Sequence, residues 1–179
     1  GGQDIWILKL RGDGNIEWQK TYGGSSSDYV FSVQQTKDEG YIVGAVTESF
    51  SLCGYNIWVL KLRANGDIEW ERTYGGGKLL YASNIQETRD GGYVVAGTTY
   101  SFDPYNNIVM WILKLKPDGT IDGNCGNIIK TTKAVVKDTK VFPSGAALMP
   151  KSLSIDVVQD ISVNSLDLDF IIREQCLKN

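Results

Sequence analysis

The 179-residue chain contains no histidine. That removes the side chain whose pKa lies nearest neutrality, and with it most acid–base, triad and metal-ligand schemes. Cysteine is scarce: Cys53, Cys125 and Cys176 lie far apart without CxxC spacing, which excludes the usual zinc and iron–sulfur ligand sets. No stretch reaches the roughly 20 apolar residues of a membrane-spanning helix. Basic charge is not in excess, since 18 Lys and Arg stand against 21 Asp and Glu for a net charge of −3. A nucleic-acid surface or a polybasic membrane patch needs clustered positive charge, so neither is expected. Walker-type and GxGxxG loops are missing, as are Asn-x-Ser/Thr acceptors, and no cofactor or metal is expected. The opening GGQDIW has no start methionine, basic n-region or apolar h-region, so the chain is expected to begin partway along a longer product.

What is present is a globular composition, 42% hydrophobic and 11% aromatic, organised by an internal repeat. IWILKLRGDGNIEW (Ile5 to Trp18) returns as IWVLKLRANGDIEW (Ile57 to Trp70), a shift of 52. The same shift carries Thr21-Tyr22-Gly23-Gly24 onto Thr73-Tyr74-Gly75-Gly76, Gly40-Tyr41 onto Gly92-Tyr93, and Ser49-Phe50 onto Ser101-Phe102. A third copy opens as WILKLKPDGTI at Trp111, shifted by 53 from Trp58.

Each period reads as four strands. Strand A is YVFSVQQT (29–36), strand B GYIVGAVTES (40–49), strand C IWVLKL (57–62) and strand D DIEWERTY (67–74). The C–D turns hold Asp13-Gly14, Asn65-Gly66 and Asp118-Gly119, a pattern that predicts hairpins closed by type I′ turns. Strand C is apolar on both faces, with Trp58, Leu60 and Leu62 on one and Ile57 and Val59 on the other, so it should be sandwiched between neighbours. Four-stranded antiparallel units of this length, stacked face to face, predict an all-β fold of propeller-type blades. A solenoid or an array of small separate sheets is the competing arrangement.

The segments DIWILKL, GNIEWQKTYGG and QETRDGGYVVAGTTYSF resemble the tandem β-propeller repeats of many bacterial and archaeal secreted or surface proteins. The resemblance spans residues 4 to about 122 and implies a propeller architecture and an extracellular or cell-surface location. It departs from the pattern at SLCGYN and after TIDGNC, where no Trp or TYGG follows. Counting strands gives a half blade C–D over 4–24, a full blade over 28–76 and a partial blade over 81–122. That is about two and a half blades, whereas a closed ring needs about four to eight. Three completions are open: the chain belongs to a larger propeller, several chains associate through unpaired blade edges, or the tail supplies the missing strands.

Residues 125–179 form that tail, in which Leu153, Ile155 and Val157, then Leu166, Leu168 and Phe170, alternate with polar residues and predict a β-rich module. Tails opening with a cysteine after the last repeat also resemble those of related secreted proteins. On that footing Cys125 and Cys176, which bracket the tail, are a candidate disulfide; three reduced thiols are the alternative.

Residues that recur at one repeat position are read as structural. They include Glu17 and Glu69, the turn acids Asp38 and Asp90, and Trp6, Trp18, Trp58, Trp70 and Trp111, expected to pack between units. Arg11-Gly12-Asp13 is read as hairpin composition, not an adhesion tripeptide. The non-recurring acids Asp28 and Asp103 are the pair a glycosidase could draw on. If a ligand face exists, it lies where the longer B–C and D–A connections gather, with Tyr55, Lys78 and Tyr105 as candidate contacts. The functional expectation is a non-enzymatic scaffold recognising a protein or glycan. The alternatives are a fragment of a secreted carbohydrate-active enzyme or a structural subunit assembled edge to edge.

Overall fold

The computed structural model of the chain describes residues 2–51, 54–100, 105, 107–122 and 129–139, with backbone alone for 76–80 and 130. The fold is all-β, and no helix occurs among the described residues. The strands are β1 (Ile5–Leu10), β2 (Ile16–Gly23), β3 (Asp28–Gln35), β4 (Tyr41–Thr47), β5 (Tyr55–Leu62), β6 (Ile68–Glu87), β7 (Tyr93–Thr99), β8 (Val109–Leu115), β9 (Ile129–Thr131) and β10 (Val135–Asp138). All pairings are antiparallel. One sheet runs β1-β2-β10 and another path runs β3-β4-β5-β6-β7-β8, with β9 beside β6; both are open.

The second path divides within β6. Residues 68–74 pair with β5, the stretch from Leu79 to Glu87 pairs with β7, and Leu79 also faces Tyr55 of β5. Strands D and A, read from the sequence as separate, are therefore one continuous 20-residue strand that changes partner. The chain crosses between partners next to Gly75, whose φ of +145° is open only to glycine.

Hairpin geometry corrects the expected turn type. Positive φ occurs at Gly14, Gly66 and Gly119, but not at the preceding Asp13, Asn65 or Asp118, which excludes type I′. Each loop is a type I turn (Gly14 N–H to Arg11 O, Gly66 N–H to Arg63 O and Gly119 N–H to Lys116 O, all 2.9 Å) followed by a left-handed glycine. The register shifts by one residue beside the first two of these loops. The turn acid or amide acts through its side chain: Asp13, Asn65 and Asp118 each accept the N–H two residues on at 3.0 Å. The A–B turns repeat the scheme, with Glu39 (φ 66°) standing where Gly91 stands one period later.

The hairpins stack into two apolar cores built from the same repeat positions. The first joins Ile5 and Tyr22 to Val43, Ala45, Trp58, Leu60 and Leu62. The second joins Ile57, Val59 and Tyr74 to Val95, Leu113 and Leu115. Both faces of β5 are buried, as its two-sided apolar pattern predicts. Each fully buried aliphatic side chain contributes about 1.5–3 kcal/mol.

Polar latches fix the stacking. Tyr22 donates to Gly66 O at 2.6 Å and Tyr74 to Gly119 O at 2.5 Å, each reaching the next unit's turn. Burial pushes both hydroxyls far above the ordinary tyrosine range. Trp18 Nε1 donates to Ala64 O at 2.9 Å. Of the five tryptophans, Trp58 is fully buried and Trp18 and Trp70 lie against neighbouring glycine turns, whereas Trp6 is exposed.

Residues 129–138 return along the outside of the array. β9 pairs with Arg72–Tyr74 of β6, and β10 pairs with Lys20–Gly23 of β2. Between them the Ala134 N–H donates to Glu71 Oε1 at 2.6 Å, while Glu71 Oε2 accepts from Trp58 Nε1 at 3.1 Å. Cys53, Cys125, Cys176 and the alternating segment from Leu153 to Phe170 lie outside the described residues.

Candidate ligand-binding face

Antiparallel connectivity places the starts of β3 and β5, the β7–β8 loop and the middle of β6 at one end of the strands, and the tight A–B and C–D turns at the other. The two ends differ in chemistry.

At the turn end, charged groups pair repeat by repeat. Lys61 Nζ lies 2.7 Å from Asp38 Oδ2, and Lys114 Nζ lies 2.8 Å from Asp90 Oδ1. Lys20 Nζ bridges Asp67 at 2.7 Å and Asp138 at 3.4 Å. The Lys61 ammonium, then the Thr36 hydroxyl and the Gly40 N–H, lower the Asp38 pKa to about 2. Lys114, Thr88 and the Gly92 N–H lower that of Asp90 in the same way. Glu69 sits 3.7 Å from Lys61. Asp38 and Asp90 also accept from the Gly40 and Gly92 N–H groups at 3.2 Å and so hold the A–B turns, as their recurrence predicts.

At the loop end tyrosines gather, Tyr81 and Tyr105 widely exposed and Tyr55 partly buried against the core. Tyr55 opens β5 and meets Tyr29 of β3 edge to face, with ring centroids 6.2 Å apart at 63°. The Glu48 carboxylate, itself accepting from Ser26 Oγ at 2.8 Å, raises the Tyr55 hydroxyl pKa. Tyr81 stands one period after Tyr29 and is 74% exposed. Tyr105, in the β7–β8 loop, is 84% exposed. The backbone of Lys78 belongs to β6 at the same end, and its side chain lies outside the described residues. The sequence singled out Tyr55 and Tyr105 but missed Tyr29 and Tyr81, whose shared repeat position read as structural; their place at a strand start was the available signal.

A shallow depression adjoins Tyr29, lined also by Asp4, Trp6 and Asp28 among others. Asp28 is buried; its Oδ2 accepts from the Gly24 N–H at 3.0 Å and from Ser49 Oγ at 2.7 Å, tying two loops together, and its Oδ1 has no hydrogen-bond partner. Asp103 lies outside the described residues. Among the described residues no three Cys, Asp or Glu side chains gather as a metal would require, and no helix is long and apolar enough to cross a membrane.

No family model and no curated protein matches the chain.

Proposed function

We propose that the chain is part of a propeller-type repeat scaffold, extracellular or cell-surface, that recognises a glycan or protein through its tyrosine-bearing loop end without performing chemistry. The location rests on the repeat resemblance alone. One observation carries the rest: Tyr29, Tyr55, Tyr81 and Tyr105 stand at the same end of the strands while the opposite end is closed by paired charges. Tyrosine offers a flat apolar face and a polar tip, the combination that stacks on sugar rings and anchors protein interfaces. Tyr29 and the neighbouring Asp4 carboxylate favour a glycan, by joining a ring face to a hydrogen-bond acceptor.

Calorimetric titration with a panel of soluble cello-, xylo-, manno- and chito-oligosaccharides tests this. One class should bind, and Tyr81→Ala and Tyr105→Ala, both at exposed rings, should each weaken binding about tenfold, the loss of roughly 1.4 kcal/mol per stacked ring, without lowering the melting temperature. Binding unaffected by both substitutions would refute the tyrosine face, binding by none of the panel would remove the glycan reading, and hydrolysis of a bound sugar would return the enzyme alternative.

A further inference from the structure

The two ends of the strand array leave open the surfaces that are closed inside it. Trp58, Leu60 and Leu62 are fully buried, yet Trp6, Leu8 and Leu10, one period earlier, are between 38% and 49% exposed. Ile57 and Val59 are fully buried, yet Met110 and Ile112, one period later, are 72% and 54% exposed. Residue chemistry does not explain the contrast, since Leu8 and Leu60 are the same residue at the same position of the same strand. Only the neighbour has changed. Within the chain, Ile5 and Ile7 pack against Trp58, Leu60 and Leu62, and Ile57 and Val59 pack in the core that holds Leu113 and Leu115. One chain thus carries both halves of a single contact and leaves one half open at each end.

We propose that these ends close on each other between copies: the open face of β8 in one chain docks on the open face of β1 in a second chain, head to tail. Met110 and Ile112 then sit against Trp6, Leu8 and Leu10 of the second copy, as Ile5 and Ile7 sit against Trp58, Leu60 and Leu62. The charge on this face is already prepared. Lys114 shares the face with Met110 and Ile112 and is paired with Asp90 at 2.8 Å, as the buried Lys61 is paired with Asp38. Covering it leaves no cation without its partner, the condition under which a buried ion pair is tolerated. The contact lacks one feature of the internal one. Gly66 and Gly119 each lie under a tryptophan and a tyrosine hydroxyl from the neighbouring unit, whereas Gly14 has no atom within 4 Å of its Cβ position. In the sequence of the β8 unit Gly123 and Asn127 stand at the positions of Trp18 and Tyr22, so the contact between copies forms without the latch and depends on concentration. Heterologous contacts of this kind close into rings or extend into filaments. With three repeat positions per chain, two copies supply six, within the range of about four to eight that closed rings use. The inference rests on the stacking of units and not on the tyrosine face, so either can fail alone.

Sedimentation velocity and light scattering on the 179-residue chain, with Leu8→Glu and Met110→Glu, test the pairing. The unsubstituted chain should show a mass that rises with concentration in multiples of 19.8 kDa. Each variant alone should remain a single chain, with association weakened at least ~100-fold because a carboxylate is forced into an apolar contact. An equimolar mixture of the two should regain a two-chain species and nothing larger, because one intact face survives on each partner. Should Leu8→Glu lower the melting temperature, Leu10→Lys serves in its place. A chain that stays single at every concentration overturns the proposal. So does a Met110→Glu variant that associates undiminished, which would mean that like faces pair, and so does a mixture that remains single chains.

Discussion

Substituting alanine at the three C–D turn glycines separates backbone strain from packing between units. Gly14, Gly66 and Gly119 have almost the same φ, +82°, +81° and +78°, so each alanine meets the same left-handed penalty of about 1–2 kcal/mol. Their surroundings differ. A Cβ at Gly14 meets nothing within 4 Å. At Gly66 it lies 3.0 Å from the Trp18 ring and 3.1 Å from the Tyr22 hydroxyl, and at Gly119 2.8 Å from the Trp70 ring and 3.0 Å from the Tyr74 hydroxyl. Trp18, Tyr22 and Tyr74 are held by their own hydrogen bonds to Ala64 O, Gly66 O and Gly119 O respectively, so they cannot retreat without breaking them. Overpacking of this kind adds about 1–3 kcal/mol. Gly14→Ala should therefore cost about 1–2 kcal/mol, and Gly66→Ala and Gly119→Ala about 2–5 kcal/mol when the overpacking is added, with Gly119→Ala the worst. Urea unfolding followed by tryptophan fluorescence measures the series, with an unchanged m-value showing that the unfolded state is not the cause. Equal losses at Gly14 and Gly66 would refute face-on stacking of the units.

Other consequences are smaller. Glu39 holds φ 66° where Gly91 holds 79°, so Glu39→Gly should relieve strain and stabilise by about 0.5–1 kcal/mol, read as a higher urea midpoint; a lower midpoint would show that the turn is not strained. The Asp38 pKa lies at about 2, below the ordinary 3.8, so its stabilising contribution is complete above pH 3.8 and is lost as the pH falls from there through about 2. Asp38→Asn should flatten that acid limb in a plot of melting temperature against pH, and an unchanged limb would assign it to other carboxylates. Glu71 fastens residues 129–138 through Ala134, so Glu71→Ala should speed amide exchange at 134–138 while leaving 41–47 protected; unchanged exchange would mean that the β10 ladder alone holds the strap.

The sequence displays what is local and hides what is not. Strand positions, hairpin pairing and the two-sided burial of β5 follow from apolar runs and Asp-Gly or Asn-Gly punctuation within a dozen residues. The turn type was misjudged because the same dipeptide serves both a two-residue loop and a type I turn with a following left-handed glycine; what separates them is the Asp13, Asn65 and Asp118 side-chain bond two residues on. The continuity of β6 is invisible because TYGGG reads as a loop, whereas Gly75 lets the strand bend and carry on. No pattern in IIKTTKAVVKD announces that it pairs with strands more than fifty residues upstream, since register across such a distance is set by which edges are free. Glu71 shows the same limit: a buried carboxylate joining an indole to a distant N–H looks, in sequence, like one more charge on a solvated strand.

The strap also explains where the array is unfinished. β2 and β6, which end their units on the side away from β1 and β3, each gain a second partner, β10 and β9 respectively. Their outward backbone groups are satisfied along those stretches, which removes a template for uncontrolled strand addition. Among the described residues β1 bonds β2 alone and β8 bonds β7 alone, as β3 bonds β4 alone. β1 carries the exposed Trp6, Leu8 and Leu10, and β8 the exposed Met110 and Ile112. Open edge and open face coincide at β1 and at β8. Exposed valines occur elsewhere too, at Val30 and Val33 of β3 and Val135 and Val136 of β10, but the exposed groups of β1 and β8 stand where their counterparts one period away, Trp58, Leu60 and Leu62 and Ile57 and Val59, are fully buried. The geometry is that of an interrupted stack whose next member, at either end, has the shape and chemistry of the unit already beside it.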